Sequence, residues 1–257
     1  MTPEALAALQ PLTLRPSRAG VFTDFDGTLS EIVDEPSAAS PLDGVPDVLA
    51  ELAGRFGKVA VLSGRPVSFL MPLFPPEVLI AGLYGLERVE NGVKRDHPLG
   101  GAWREVVDDV TSVSQARGPA GMRVEPKGLS LTLHYRGNPE IEPAVRAWAE
   151  QQAARSGLEV RSARMSVELH PPIPIDKGTA LLELAEGLEA VCYLGDDIGD
   201  LAAFDALDQL AAEGVYTLRV GVRSAEHTEA LLDRADVVVD GPAGSLELIS
   251  YLRDHAS

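Results

Sequence analysis

The fold is decided by one short stretch, Val21-Phe22-Thr23-Asp24-Phe25-Asp26-Gly27-Thr28-Leu29. The apolar run over residues 19–23 leads directly into two acids, and a glycine then permits a sharp turn. A short apolar run that ends at a turn is typical of a strand buried in a parallel sheet. Because Asp24 and Asp26 are two residues apart beside that turn, both can face one pocket. The stretch therefore predicts a buried strand with a reactive site at its carboxyl end.

The same pattern recurs on both sides of this stretch. Further apolar runs occupy 58–62, 78–81, 190–194, 215–221 and 236–239, and helical stretches occupy 42–54, 178–189, 200–211 and 244–253. Pro66 fits a helix start, where its missing N–H is tolerated. Continuous apolar strands that alternate with helices indicate a parallel sheet covered on both faces. The predicted class is therefore α/β, with a Rossmann-like parallel-sheet core.

The middle of the chain has a different period. Apolar and polar residues alternate over 122–125, 129–135 and 165–170, which predicts half-buried antiparallel strands, and helices are expected at 101–117 and 139–155. We therefore predict a core domain over 1–87 and 172–257, with an inserted α/β cap over 88–171 that determines substrate specificity. The polar positions of the cap strands are Arg123, Glu125, Lys127, Ser130, His134, Arg136 and Glu168. A solvated sheet face is the ordinary explanation for such a set, unless a ligand lies opposite it.

Composition excludes several classes of protein. The 257 residues carry a net charge of −17, which argues against nucleic acid or an anionic membrane as a partner. The single cysteine, Cys192, can form neither an internal disulfide nor a cysteine-rich zinc site. The longest apolar runs have about six residues, against the ~20 needed to cross a bilayer, and the first residues do not resemble a secretory signal. We expect a cytoplasmic monomer.

Polar groups of a particular kind follow the predicted strands. They are Asp24 and Asp26, then Ser63, then Asp196 and Asp197, with Lys177 at the start of a later helix. In an open parallel sheet, ligands bind beyond the carboxyl ends of the strands. Carboxylates, a hydroxyl and a lysine together suit Mg²⁺ and a phosphoryl group. One acid can attack phosphorus while the other protonates the departing oxygen.

The order of these groups resembles the haloacid dehalogenase superfamily of phosphohydrolases. The opening stretch looks like its first motif, Ser63 like the second, Lys177 like the third, and Gly195-Asp196-Asp197 with Asp200 like the fourth. The resemblance implies Asp24 as nucleophile and Asp26 as acid and base, with Ser63 and Lys177 as further catalytic residues. It also implies Mg²⁺ on Asp24, on the main-chain carbonyl of Asp26 and on Asp196, supported by Asp197 and Asp200.

More narrowly, the chain resembles the trehalose-phosphatase family. The matching segments are Asp26-Gly27-Thr28-Leu29, Ala81-Gly82-Leu83-Tyr84-Gly85-Leu86-Glu87, Val124-Glu125-Pro126-Lys127-Gly128, Leu133-His134-Tyr135-Arg136 and Val167-Glu168-Leu169. The resemblance implies a small-molecule sugar phosphate, trehalose 6-phosphate, hydrolysed to trehalose and phosphate in the last step of trehalose biosynthesis. Glu125, Lys127 and Glu168 occupy positions that hold the sugar in this family. We also expect Gly64, Arg65, His134 and Arg136 to contact the substrate.

Two departures from the family pattern keep alternatives open. Gly199 and Leu201 stand where the family usually has a threonine and an acid, and Tyr84 stands where histidine is common. One alternative is a phosphatase for another sugar phosphate or a phosphoglycerate ester, and another is a non-catalytic sugar-phosphate sensor. The sequence contains neither the P-loop motif of nucleotide-binding proteins nor the Gly-x-Ser-x-Gly motif of serine esterases.

Overall fold

The computed structural model describes residues 2–33, 35–163, 165–225 and 227–256. Its strands are β1 (Ala19–Thr23), β2 (Lys58–Leu62), β3 (Leu79–Gly82), β4 (Glu87–Glu90), β5 (Val93–Asp96), β6 (Arg123–Pro126), β7 (Leu131–His134), β8 (Glu159–Ala163), β9 (Ser166–His170), β10 (Ala190–Gly195), β11 (Tyr216–Val222) and β12 (Val237–Val239). Its helices are α1 (Pro3–Leu14), α2 (Val45–Ala53), α3 (Val67–Leu70), α4 (Arg104–Arg117), α5 (Glu142–Ser156), α6 (Lys177–Leu184), α7 (Leu201–Ala212), α8 (Glu229–Leu232) and α9 (Gly241–His255). None of the described helices combines the length and the hydropathy that a bilayer-spanning segment needs.

The chain divides into two compact units, Met1–Arg95 with Ile175–Ser257, and Asp96–Pro174. The larger unit contains an eight-stranded sheet in the order β12-β11-β10-β1-β2-β3-β4-β5. The pairs from β12 to β3 are all parallel. This arrangement confirms the predicted α/β class and its parallel sheet.

Side chains that alternate along the strands pack into two apolar clusters. On β1, Val21 belongs to the cluster formed with α1, α2 and α9, whereas Phe22 belongs to the cluster formed with α6 and α7. Both residues are 0% exposed, because helices cover both faces of the sheet. This double burial explains why the strand sequences are continuously apolar.

The larger sheet continues past residue 87, the predicted end of the first core segment. Strand β4 pairs antiparallel with β3, with Ile80 opposite Val89, and β5 follows at the edge of the same sheet. Asn91 and Gly92, with φ of 51° and 73°, provide the left-handed turn between these two strands. Residues 88–95 therefore lie with the larger unit, and the second junction falls at Pro174. That the larger unit is catalytic and the smaller unit determines substrate specificity stays a prediction.

The smaller unit has a four-stranded antiparallel sheet in the order β6-β7-β9-β8. Its apolar face packs on α4 and α5, with Leu131 and Leu169 against Val107 and Val145 in one cluster. The predicted alternation matches β6, β7 and β9, while the edge strand β8 was not predicted. On the polar face Glu168 is buried, so the solvated surface that ordinarily explains such alternation does not describe this position.

Candidate active site

The candidate site lies at the carboxyl ends of three neighbouring strands. Strands β10, β1 and β2 are adjacent and parallel, so the residues that follow them share one sheet edge. Asp24 follows β1, Ser63 follows β2 and Asp196 follows β10. The backbone N–H of Asp24 donates to the Leu194 carbonyl at 2.8 Å and extends the β1–β10 pairing up to the site. The parallel order thus brings together the three strand ends that the sequence singled out.

Three buried carboxylates form the centre of the site. Oxygens of Asp24, Asp196 and Asp200 lie within 4.8 Å of one another, and these residues are 4%, 1% and 0% exposed. Burial raises the pKa of Asp24 well above its usual range. Burial and the charge of Asp200 raise the pKa of Asp196 to about 7 and that of Asp197 to about 6. Such a concentration of hard oxygen ligands fits a divalent cation of the magnesium type.

Lys177 places a positive charge beside these acids. It is the first residue of α6, whose N-terminus is capped by the Asp176 side chain accepting from the Thr179 N–H at 2.8 Å. Its Nζ lies 2.8 Å from Asp24 Oδ1 and 2.6 Å from Asp200 Oδ1. Burial lowers the pKa of Lys177, but the charges of Asp200 and Asp24 outweigh this effect and leave the pKa well above its usual value. Lys177 is therefore held in its charged form.

Asp200 fastens the loop that follows β10. Its Oδ2 accepts from the backbone N–H groups of Asp196 at 2.9 Å and Asp197 at 3.1 Å. Its Oδ1 accepts from Lys177 and from the Tyr193 hydroxyl. Because four donors occupy its two oxygens, Asp200 is better suited to hold the loop than to bind a metal directly. The supporting role of Asp200 at a metal site stays a prediction, and the contact with Tyr193 was not predicted.

Two hydroxyl groups and one glycine determine the position of Asp196. The hydroxyls of Thr28 and Ser224 donate to its two carboxylate oxygens at 3.4 and 2.5 Å. Gly27 has a φ of 75°, and a Cβ on it would lie 2.1 Å from Asp196 Oδ2. Neither hydroxyl was predicted to belong to the site. The signal for Ser224 was its place after β11, a fourth strand that ends at the same sheet edge.

Asp26 pairs with Arg65, which follows β2. Arg65 donates from Nε to Asp26 Oδ2 at 2.8 Å and from Nη2 to Asp26 Oδ1 at 2.7 Å. The same guanidinium donates to the Pro36 carbonyl at 2.6 Å and lies 4.5 Å above the ring of Phe69. The Ser63 hydroxyl accepts from the Arg65 N–H at 3.2 Å. A bidentate ion pair thus joins the first two predicted motifs, and the contact of Arg65 with substrate stays a prediction.

Three of the residues predicted to bind sugar share one face of the smaller sheet. Glu125 on β6 lies opposite Thr132 on β7, which lies opposite Glu168 on β9. Glu125 Oε2 is 2.6 Å from His134 Nε2, and Glu168 Oε1 accepts from the Ser130 hydroxyl at 2.6 Å. The two carboxylates are therefore held in a single row across three strands.

The two cations predicted for the same role, Lys127 and Arg136, are half-buried. The backbone N–H of Lys127 donates to the Ser130 carbonyl at 2.9 Å and closes the turn between β6 and β7. This turn fixes where the Lys127 side chain begins. For all of these residues, binding of sugar stays a prediction.

A family profile described as "Trehalose-phosphatase" matches residues 22–237. The chain belongs to this family. The trehalose-phosphate phosphatase of Mycobacterium ulcerans is 36% identical over 222 residues, which cover 80% of this chain and 56% of that protein. The chain therefore spans about half the length of the curated relatives it matches.

Solved structures share the fold of the family member described here. One is titled as a trehalose-6-phosphate phosphatase related protein, with a TM-score of 0.77 and 23% identity over 91% of this chain and 97% of that one. Another is the C-terminal domain of trehalose-6-phosphate phosphatase from C. albicans, with a TM-score of 0.74 and 23% identity over 98% of this chain and 97% of that one. These similarities extend over both units of the chain.

Tyr84 and Gly199, at which the sequence resemblance is incomplete, contact residues of the candidate site. Tyr84 adopts a φ of 61°, and a Cβ on Gly64 would lie 2.7 Å from its hydroxyl oxygen. The absence of a side chain on Gly64 therefore makes room for the Tyr84 ring. Contact of Gly64 with the substrate stays a prediction. On the loop after β10, the N–H of Gly199 donates to Asp197 Oδ1 at 2.8 Å. Gly199 and Leu201 flank Asp200.

Proposed function

We propose that the protein hydrolyses trehalose 6-phosphate to trehalose and phosphate as a phosphoric monoester hydrolase. The observation that carries the proposal is the buried Asp24–Lys177 pair, 2.8 Å apart, in a chain of the trehalose-phosphatase family. A carboxylate beside a buried ammonium group suits attack on a phosphoryl group, because the lysine offsets the charge of the phosphoryl oxygens. The proposed enzyme is a monomer of the cytoplasm, as expected from the sequence, and completes trehalose biosynthesis.

In the proposed reaction, an Asp24 oxygen bonds to phosphorus as the bond from phosphorus to the sugar oxygen breaks. Asp26 gives its proton to the departing sugar oxygen. Asp26 then takes a proton from water, whose oxygen attacks the aspartyl-phosphate and releases phosphate and Asp24. To act as the acid, the Asp26 carboxylate leaves its ion pair with Arg65 and takes a proton from water before the substrate reacts. Ser63 and Lys177 hydrogen-bond the phosphoryl oxygens.

The donor set of the site fits Mg²⁺, with Asp24, Asp196 and the main-chain carbonyl of Asp26 as its protein ligands. Support comes from the burial of both carboxylates and from Gly27, whose missing side chain leaves the space beside Asp196 Oδ2 open. When bound, Mg²⁺ would polarise the phosphoryl oxygens and offset the negative charge of the site. Asp197 and Asp200 hold the loop that carries Asp196.

Specificity for the disaccharide is proposed to come from the smaller unit. Glu125 and Glu168 offer hydrogen-bond acceptors in one row of its sheet, which suits the hydroxyl groups of a sugar. Lys127, His134 and Arg136 would add donors. Gly64 and Arg65 would contact the phosphoryl end of the substrate.

The two alternatives from the sequence remain testable. A phosphatase for another sugar phosphate or a phosphoglycerate ester would use the same residues of the larger unit and differ in its sugar contacts. A non-catalytic sensor was suggested by Gly199 and Leu201. The four hydrogen bonds to Asp200 argue against the sensor, because they hold the loop without side chains from these two positions.

The test measures phosphate released from trehalose 6-phosphate, glucose 6-phosphate and phosphoglycerate, in Mg²⁺ and in EDTA. We expect fastest release from trehalose 6-phosphate, loss of activity in EDTA and recovery with Mg²⁺. The Asp24→Asn protein is the matched control for contaminating phosphatases. Faster hydrolysis of another ester would favour the second phosphatase, and binding of trehalose 6-phosphate without hydrolysis would favour the sensor. Undiminished activity in excess EDTA would exclude the metal assignment.

A further inference from the structure

A buried tyrosine connects the core of the larger unit to the candidate site. Tyr193 lies on β10 and is 0% exposed. Its ring packs edge-on against Phe204 of α7, with the ring centres 6.4 Å apart. Its hydroxyl donates to Asp200 Oδ1 at 2.5 Å. The apolar core therefore fixes the ring, and the hydroxyl extends from it to the loop that follows the strand.

Asp200 needs donors because it is a buried carboxylate among other carboxylates. Its one full positive neighbour in the described contacts, Lys177, is shared with Asp24. A buried anion that lacks hydrogen bonds is strongly unfavourable. A tyrosine hydroxyl stabilises the anion without adding charge, whereas a further acid would increase the repulsion around Asp196.

Asp200 in turn holds the backbone of the loop. Its Oδ2 accepts from the N–H groups of Asp196 and Asp197, so any displacement of the Asp200 carboxylate also displaces the loop that carries Asp196. The fit at this point is close, since a Cβ on Gly195 would lie 2.5 Å from the Asp200 Cγ. The residues on either side of Asp200 cannot donate a side-chain hydrogen bond to it, because Gly199 has no side chain and the Leu201 side chain is apolar.

We propose that Tyr193 is a positioning residue for the metal ligands: its hydroxyl holds Asp200, and Asp200 holds the loop that carries Asp196. In this chain the hydrogen bond that holds Asp200 comes from Tyr193 on β10, the strand before the loop. The residues on either side of Asp200, Gly199 and Leu201, therefore need no hydrogen-bonding side chain. The inference rests on the proposed function and adds a residue to the same site.

The experiment compares Tyr193→Phe with Tyr216→Phe. Tyr216 lies on the neighbouring strand β11, opposite Ala190 at the far end of β10, and its hydroxyl donates to the Ala8 carbonyl at 2.7 Å. Each change keeps the ring and removes one hydroxyl hydrogen bond, so the pair separates loss of a bond from loss of positioning. Three quantities are measured on the full chain: Mg²⁺ binding by calorimetry without substrate, urea unfolding in EDTA, and kcat/KM for trehalose 6-phosphate.

Tyr193→Phe is expected to weaken Mg²⁺ binding by roughly 10-fold or more and to lower kcat/KM by a similar factor, as is typical when a group that orients a metal ligand is removed. Tyr216→Phe should leave both values unchanged, and both variants should unfold at somewhat lower urea. Mg²⁺ binding that is equal in the two variants and the wild type would overturn the inference. So would a Tyr193→Phe protein without a cooperative unfolding transition, since Tyr193 would then be a structural residue.

Failure of the proposed function gives a different result. If the wild type binds Mg²⁺ but does not hydrolyse trehalose 6-phosphate, the substrate assignment fails, and weaker Mg²⁺ binding by Tyr193→Phe still supports the inference. If the wild type hydrolyses the ester and Tyr193→Phe behaves like Tyr216→Phe, only the inference fails.

Discussion

Replacement of Asp196 by asparagine is expected to stabilise the metal-free protein while it abolishes activity. The Asp196 carboxyl is 1% exposed, and burial with the charge of Asp200 raises its pKa from 3.8 to about 7. At about pH 8 the ionised carboxyl therefore destabilises the fold by up to about 4 kcal/mol, at 1.36 kcal/mol per pH unit. Asp197 and Asp200 share this repulsion, and the hydroxyls of Thr28 and Ser224 bond an amide less strongly than a carboxylate, which reduces the gain. We expect the free energy of unfolding to rise by about 2 kcal/mol.

The effect should depend on pH in a definite direction. Between about pH 4 and pH 7 the folded metal-free protein binds more protons at Asp196 than the unfolded chain does, so the stability of the wild type falls as pH rises. Asp196→Asn lacks this contribution, and its advantage should grow up to about pH 7 and then stay constant.

Urea unfolding in EDTA at several pH values measures this difference, and the same titration in Mg²⁺ is its control. Mg²⁺ should favour the wild type, because only the wild type has the full ligand set and gains stability from binding. An Asp196→Asn protein that is less stable than the wild type in EDTA at about pH 8 would refute the argument that charge repulsion destabilises this site.

Four further substitutions test the proposed roles. Asp24→Asn should fold but lose turnover, because an amide cannot act as the nucleophile; retention of a tenth of the wild-type rate of phosphate release would contradict the aspartyl-phosphate mechanism. Asp26→Asn should lower the rate roughly 10²–10⁴-fold on trehalose 6-phosphate and less on p-nitrophenyl phosphate, whose leaving group needs little protonation; equal losses would argue against the acid role. Glu125→Ala and Glu168→Ala should each lower kcat/KM for trehalose 6-phosphate, by a factor that corresponds to roughly 1–3 kcal/mol of activation free energy. Both substitutions should hardly affect kcat/KM for p-nitrophenyl phosphate. Equal loss on both substrates would mean that these two residues support the fold.

The parallel strands of the larger sheet could be predicted because each of them is a continuous apolar run in the sequence. The edges of the two sheets were harder. Strand β5 is exposed along its whole length, and β8 contains Glu159 and Arg161, so neither has a clear hydrophobic pattern. Their place depends on pairing with a neighbouring strand, which a single sequence does not display. For this reason the predicted end of the first core segment, residue 87, does not include the β4–β5 hairpin at the edge of the larger sheet.

Asp24, Asp26 and Asp196 could be found because they follow apolar strands directly, and Lys177 because it begins a helix. Tyr193 could not, since it lies inside an apolar run and has the pattern of a core residue. Its role depends on the chain turning back so that Asp200 meets its hydroxyl. Arg65 was recognised as part of the site, but its bidentate contact with Asp26 follows from the spacing of β1 and β2 and not from any local signal.

The order of strands in the larger sheet also bears on how the chain acquires its structure during synthesis. Strand β1 lies at the centre of this sheet, and Ala19 pairs with Ala190 across the β1–β10 contact. The partner strand therefore leaves the ribosome only after the whole of residues 96–174, which contain their own apolar cluster. Pairing between segments so distant in sequence is slow, because a long loop must close before any contact forms. During that interval the nascent chain holds β1 with one edge unpaired, so this edge is where premature association with other chains would begin.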